Sequence, residues 1–200
     1  MESPNTLEQC GLLIAIPLTR DRFLSDAADA RKDFVRQWLA SLAGYAPERL
    51  WRDYERIATY VLQISDEARA GGVHVVTDAS FESWAALART RSVITLVAHW
   101  VAGSPPLIEY ADGPHPLDEV VEALPAGFDG VLDLTVCHST RAIAAIKTAR
   151  PRCSVLTNRE PARLDLRLAM YRQVLRLVQR ERTRYVQAAQ QVHLAALGRV

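Results

Sequence analysis

The sequence predicts an α/β domain, a mostly parallel sheet with helices on both faces. Short apolar or β-branched runs recur along the chain: Leu12-Leu13-Ile14-Ala15-Ile16, Val73-His74-Val75-Val76-Thr77 and Val93-Ile94-Thr95-Leu96-Val97-Ala98. Segments of helical periodicity separate them, as parallel strands joined by crossovers require. The run over 93–98 is apolar almost throughout, the pattern of a strand covered on both faces.

The elements follow in order. Pro17 closes the first strand, where the ladder would lose a donor. Over residues 26–43, Phe34, Val35, Trp38, Leu39 and Leu42 recur at helical spacing and Gly44 supplies the stop. Pro47 opens a second helix with the stripe Leu50, Trp51, Tyr54, Ile57, Ala58, Val61 and Leu62, broken by Gly71-Gly72. The two read as a helical hairpin over 26–70. Strand 73–77, helix 81–89 and strand 93–98 come next, then a hairpin-like or loop segment over 102–116. Helix 117–124, strand 130–136, helix 140–149 and strand 153–157 complete a core spanning 72–160. Residues 162–197 read as one long C-terminal helix with Leu164, Leu168, Tyr171, Leu175 and Val178 as its stripe, packing on the sheet and then extending. No repeat or linker divides the 200 residues, which are read as a single domain.

Composition narrows the function classes. Lys plus Arg number 24 against 23 Asp plus Glu, a net charge of +1, so no electrostatic grip on nucleic acid is expected. No apolar run reaches the roughly 20 residues of a membrane span, and no basic-then-apolar leader follows Met1, so a soluble, cytoplasmic protein is expected. Three cysteines, Cys10, Cys137 and Cys153, without Cys-x-x-Cys spacing predict neither a disulfide framework nor a zinc ribbon.

In open α/β sheets the functional groups gather at the carboxyl ends of the strands. Strand 93–98 delivers His99 there and strand 130–136 delivers Cys137. Made parallel and adjacent, the two strands would bring imidazole and thiol to one edge. An imidazole can take the thiol proton or stabilise the thiolate, which is the nucleophile. Ser139 or Thr140 as N-cap would add a helix N-terminus just after Cys137, which also favours thiolate. A buried structural cysteine and a satisfied polar histidine are the bland alternative.

The words around these residues carry a resemblance. Val93 to His99, Leu107-Ile108-Glu109-Tyr110-Ala111-Asp112-Gly113, Leu117-Asp118-Glu119-Val120 and Val131 to Ser139 resemble, in that order, the motifs of the CHAT family of caspase-like (clan CD) cysteine peptidases. Cys137-His138-Ser139 is also similar to the cysteine motif of metacaspases, and the likeness covers about half the chain. It implies a caspase-like three-layer sandwich carrying the helical hairpin as an insertion. It implies Cys137 as nucleophile, His99 as general acid/base, and an oxyanion hole from the N–H groups of Cys137 and Trp100. The family usually has glycine where this chain has Trp100, which keeps the N–H but not the ease of positive φ. Relatives that cut after Arg or Lys place an acid two residues before the cysteine; here that position is Thr135, with Asp133 on the same strand face, and these two are the candidate substrate-binding residues.

Other candidates weigh less. His138, His74 and Cys153 could be imagined around a metal with Cys137, but no paired spacing supports it, and neither metal nor cofactor is expected. His115 reads as an exposed loop residue, Asp112-Gly113 as a turn, and Trp38, Trp51 and Tyr54 as core. The resulting expectation is a cysteine endopeptidase acting on a protein substrate, one to be sought among neighbouring genes, and awaiting an activating partner. The resemblance implies a role in bacterial stress, cell death or antiphage defence. One alternative is a non-catalytic caspase-like module that binds or scaffolds proteins, supported by Trp100. Another is a nucleotide-binding domain, disfavoured because no Gly-rich phosphate loop follows either early strand.

Overall fold

Five strands, β1 (Cys10–Ile14), β2 (His74–Thr77), β3 (Val93–Val97), β7 (Val131–Thr135) and β8 (Ser154–Leu156), pair in parallel in the order β2-β1-β3-β7-β8. Three more, β4 (His99–Val101), β5 (Leu107–Tyr110) and β6 (Gly113–Pro116), form a small antiparallel sheet. This computed structural model describes residues 6–41, 46–101, 103–136, 139–157 and 164–197.

Strand periodicity sorts the side chains of the large sheet into two apolar layers. Leu12 and Ile14 of β1, with Val93 and Val97 of β3, face α1 (Arg20–Ala28), α3 (Pro47–Ala70), α7 (Leu164–Glu181) and α8 (Tyr185–Leu197). Leu13, Ile94, Leu96, Leu132 and Leu134 face the other way, onto α4 (Phe81–Ala88), α5 (Leu117–Glu122), α6 (Ile143–Ala149) and the small sheet. Helices therefore lie on both sides of a mostly parallel sheet, as expected, in an arrangement compatible with a three-layer sandwich. Each layer buries roughly two dozen apolar side chains, and a fully buried Leu or Ile contributes about 1.5–3 kcal/mol.

Two long helices of the sequence reading are interrupted. The helix expected over 26–43 is instead α1 followed by α2 (Phe34–Ser41). α1 begins earlier, where Thr19 caps it by accepting from the Arg22 N–H at 3.3 Å, and it stops because Asp29 turns to extended backbone and accepts the Arg31 N–H at 2.9 Å. The link is pinned by tertiary contacts: Lys32, buried, donates to the carbonyls of Tyr110 and of Ala111, the latter at 2.8 Å. Residues 26–70 thus contain parts of three helices rather than a two-helix hairpin.

The C-terminal stretch likewise divides, into α7 and α8. Arg182 between them takes a left-handed φ of 49°, and the two helices fold back against each other instead of extending as one rod. Tyr185, fully buried at the start of α8, anchors the turn in the sheet layer. The segment 102–116, read as hairpin-like, contributes the real hairpin β5–β6. Among the described residues, no helix is long and apolar enough to cross a membrane.

Candidate active site

β3 and β7 are neighbours, with Val97 opposite Thr135 at their carboxyl ends. Beyond Val97 the chain leaves the large sheet within a single residue, and His99 opens β4, opposite Glu109 of β5. His99 is therefore not a loop residue at a strand tip. It is a strand residue, only 9% exposed, at the junction of the two sheets.

Its ring is held from the α1–α2 link. Nε2 lies 3.2 Å from Asp33 Oδ2, and the Phe34 ring packs against the imidazole with centroids 5.6 Å apart. The same Asp33 oxygen accepts from Gln37 Nε2 at 2.7 Å, one helical turn on. Glu109, the cross-strand partner of His99, is buried, and its Oε2 accepts the backbone N–H groups of Asp33 at 2.6 Å and Phe34 at 3.1 Å. That carboxylate satisfies N–H groups left without partners where α2 begins. Burial raises the Glu109 carboxyl above its ordinary pKa, opposed by these two N–H bonds and by the charges of His99 and Lys32.

Sequence reasoning missed Asp33 as a partner of His99 and quoted Glu109 only within a motif. One signal was available: Asp33 directly precedes the apolar helical pattern starting at Phe34, the place of a helix-starting residue. Nothing local shows that its carboxylate meets a strand 66 residues away.

Cys137 and His138 lie outside the described residues. Downstream of them the expected helix start at Thr140 is replaced by a 3-10 turn, Ser139–Ala142, and α6 begins only at Ile143 with no side-chain cap. The Ser139 hydroxyl donates to the Leu134 carbonyl at 3.1 Å. A helix dipole fades within a turn, and α6 starts only at Ile143, so the helix N-terminus expected directly after Cys137 is not there.

Trp100 is 5% exposed and packs in the layer with Trp84, Ile108 and Leu117. It sits in the β4 strand, paired with Ile108, and is not among the positive-φ residues. The backbone here thus takes a tryptophan without strain. Asp133 and Thr135 of β7 are both buried and share the face turned to α7 and α8. Asp133 Oδ2 accepts from the Tyr185 hydroxyl at 2.7 Å, and Oδ1 lies 3.7 Å from Arg167 Nη2. Burial raises the Asp133 carboxyl, against the pull of Arg167 and Tyr185.

The remaining candidates find ordinary places. Cys10 and Cys153 are buried on opposite sides of the large sheet, and burial pushes their thiols up to about 12 and about 11. His74 lies on β2, and Cys153 precedes β8 at the other edge of the sheet, roughly 19 Å away at ordinary strand spacing. The two cannot share an ion. Among the described residues no group of three potential ligands could hold a metal. His115 is not an exposed loop residue: it lies on β6, stacked on Phe81 at 4.4 Å and near Asp112 and Glu119. Asp112 does sit in a turn, and accepts the Phe81 N–H at 3.1 Å. Trp51 and Tyr54 pack against Phe23 in the core, while the Trp38 side chain is outside the described residues.

A cleft of about 140 Å³ opens between α3 and α7 beside Leu7, at the amino end of β1 and so away from His99. It is small beside the 300–1,000 Å³ of ligand pockets. Compared with family models, with curated proteins and with solved structures, the chain matches none.

Proposed function

We propose that the chain is a caspase-like cysteine endopeptidase in which His99 and Cys137 form the catalytic dyad. The observation that carries the reading is the parallel pairing of β3 with β7, Val97 opposite Thr135. In sequence, His99 follows Val97 by the same interval as Cys137 follows Thr135. Adjacent strands that end in register would release these residues toward one sheet edge, where open α/β folds bind and react, and the pairing supports the reading to that extent. The anchored imidazole supports the reading further.

The chemistry follows from the residue types. His99 takes the Cys137 proton, and the thiolate attacks the scissile carbonyl, forming a C–S bond as the π electrons move to oxygen. Backbone N–H groups of Cys137 and Trp100 would receive that oxyanion. Collapse breaks the C–N bond, and the amine leaves with the proton from the imidazolium. Water, deprotonated by His99, then attacks the thioester and releases the acid, returning the thiol. The substrate is a protein, and an activating partner completes the site.

A binding or scaffold module is the second reading. Trp100 favours it: the residue after the histidine is committed to the apolar core. Expression of the intact chain and of Cys137→Ala beside the products of neighbouring genes, with new N-termini identified by mass spectrometry, separates the two. Cleavage products lost in Cys137→Ala are expected. Binding of those partners with no Cys137-dependent product would leave the module.

A further inference from the structure

His99 is tied into a closed set of contacts that the dyad alone does not require. Glu109 stands opposite it across β4–β5 and holds the backbone N–H groups of Asp33 and Phe34. Asp33 returns its carboxylate to His99 Nε2 at 3.2 Å, steadied on the same oxygen by Gln37. A carboxylate only accepts, so this contact keeps the proton on Nε2 and makes Nδ1 the ring nitrogen with a free lone pair. Among the described residues Nδ1 has no hydrogen-bond partner. Among the described residues, the charged groups set at the ring are Asp33 at its tip and Glu109 across the strand, and Lys32 acts on Glu109 in turn. The Asp33 side chain is 35% exposed and its histidine partner 10%, so the contact lies at the rim of the buried junction rather than deep in the core.

We propose that Asp33 is a positioning residue for His99: it fixes the tautomer and ring orientation in which Nδ1 takes the proton of Cys137, and Glu109 fixes Asp33 by holding its backbone. The assignment rests on the peptidase reading and adds a third side chain to it, one supplied from the α1–α2 link. A carboxylate in this place stabilises the imidazolium formed during proton transfer. Its contribution is exerted wholly through the imidazole, which makes it separable from a merely structural contact.

The test is a double-mutant cycle on the folded, full-length chain, reading the iodoacetamide labelling rate of Cys137 near neutral pH by mass spectrometry. Asp33→Asn should slow labelling on the order of 10-fold, Asp33→Glu should recover most of the rate, and Asp33→Asn should add nothing in a His99→Ala background. Slow labelling of Cys10 and Cys153 in the same samples reports that the fold is intact. Should Asp33→Asn open those two thiols, Asp33→Ser, which keeps a helix-starting side chain before Phe34, carries the same cycle. An unchanged rate in Asp33→Asn, or an equal slowing with and without His99, overturns the positioning role while leaving the dyad. If His99→Ala itself does not slow Cys137, the peptidase reading falls, and the positioning role with it.

Discussion

The Tyr185 hydroxyl donates to Asp133 Oδ2 at 2.7 Å, joining the first turn of α8 to the middle of β7. Thr95 of β3 lies 3.1 Å from the same hydroxyl, so one phenol bridges the two central strands and the C-terminal helix pair. A hydrogen bond to a buried carboxylate contributes about 1.5–3 kcal/mol. Tyr185→Phe should therefore lower the free energy of unfolding by that amount in urea titration, with little change in m-value. A loss below about 0.5 kcal/mol would mean that α8 is held by its apolar contacts alone.

Asp133 also predicts a pH dependence. Burial raises its carboxyl in the folded state above the ordinary 3.8, so the folded chain binds that proton more tightly than the unfolded one. The associated stability is fully present below about 3.8 and is lost as pH rises through the raised value. Asp133→Asn removes this titration. The stability of wild type relative to Asp133→Asn should fall as pH rises above 4, and a difference independent of pH from 4 to 7 would contradict the raised carboxyl.

The thiols should separate sharply by reactivity. With Cys10 pushed up to about 12 and Cys153 to about 11, both are almost wholly protonated near pH 7 and closed to reagent. Cys137 should label faster than either in folded protein, and His99→Ala should slow it. Equal rates at all three sites, each resolved by mass spectrometry, would remove the reason to place a nucleophile at Cys137.

The sheet was legible because its strands are short apolar runs; a parallel core allowed β3 and β7 to be neighbours without requiring it, and the structure pairs them. The breaks within the two long helical patterns were not legible. Phe34 and Val35 continue the periodicity of α1 in projection, yet the chain turns at Asp29 because Lys32 reaches two carbonyls of the β5–β6 turn and Glu109 receives the start of α2. These are tertiary contacts, and they override a pattern that local propensity leaves open. Lys32 and Lys147 are the only lysines. Both donate to backbone carbonyls, Lys147 to that of Cys153. The same reasoning explains why Asp33 escaped notice: its partner is set by the place where β4 emerges, not by its neighbours in sequence.

Arg182 offers a test of the second break. A non-glycine residue at φ 49° costs about 1–2 kcal/mol, partly offset in glycine by its greater unfolded-state entropy. Arg182→Gly should stabilise the protein by a few tenths to about 1 kcal/mol, read as a higher urea midpoint. Destabilisation instead would show that the arginine side chain holds the α7–α8 turn together.

Specificity follows from where Asp133 points. On the proposed peptidase reading, Thr135 stands where relatives that cut after Arg or Lys carry an acid, and the Asp133 carboxyl is engaged by Tyr185 and Arg167. A positional peptide library should show no strict requirement for Arg or Lys at P1. A strict requirement, abolished by Asp133→Ala, would mean that this carboxylate leaves its partners to bind substrate.

Gly130 ties packing to the site. A Cβ added there would fall on the Ser92 carbonyl oxygen, far inside the 3.0 Å that real Cβ atoms respect, and the obstacle is backbone that cannot swing aside. That oxygen accepts the Val131 N–H at 2.8 Å, the first rung between the segments entering β3 and β7. Gly130→Ala should therefore cost about 1–3 kcal/mol, the range of an overpacked core, and do so by prising the two strands apart at their amino ends. Since the proposed dyad requires these strands to end together, labelling of Cys137 should lose its dependence on His99 before global unfolding is reached in urea. A variant with native stability and native His99-dependent labelling would show that the strands accommodate the methyl group without parting.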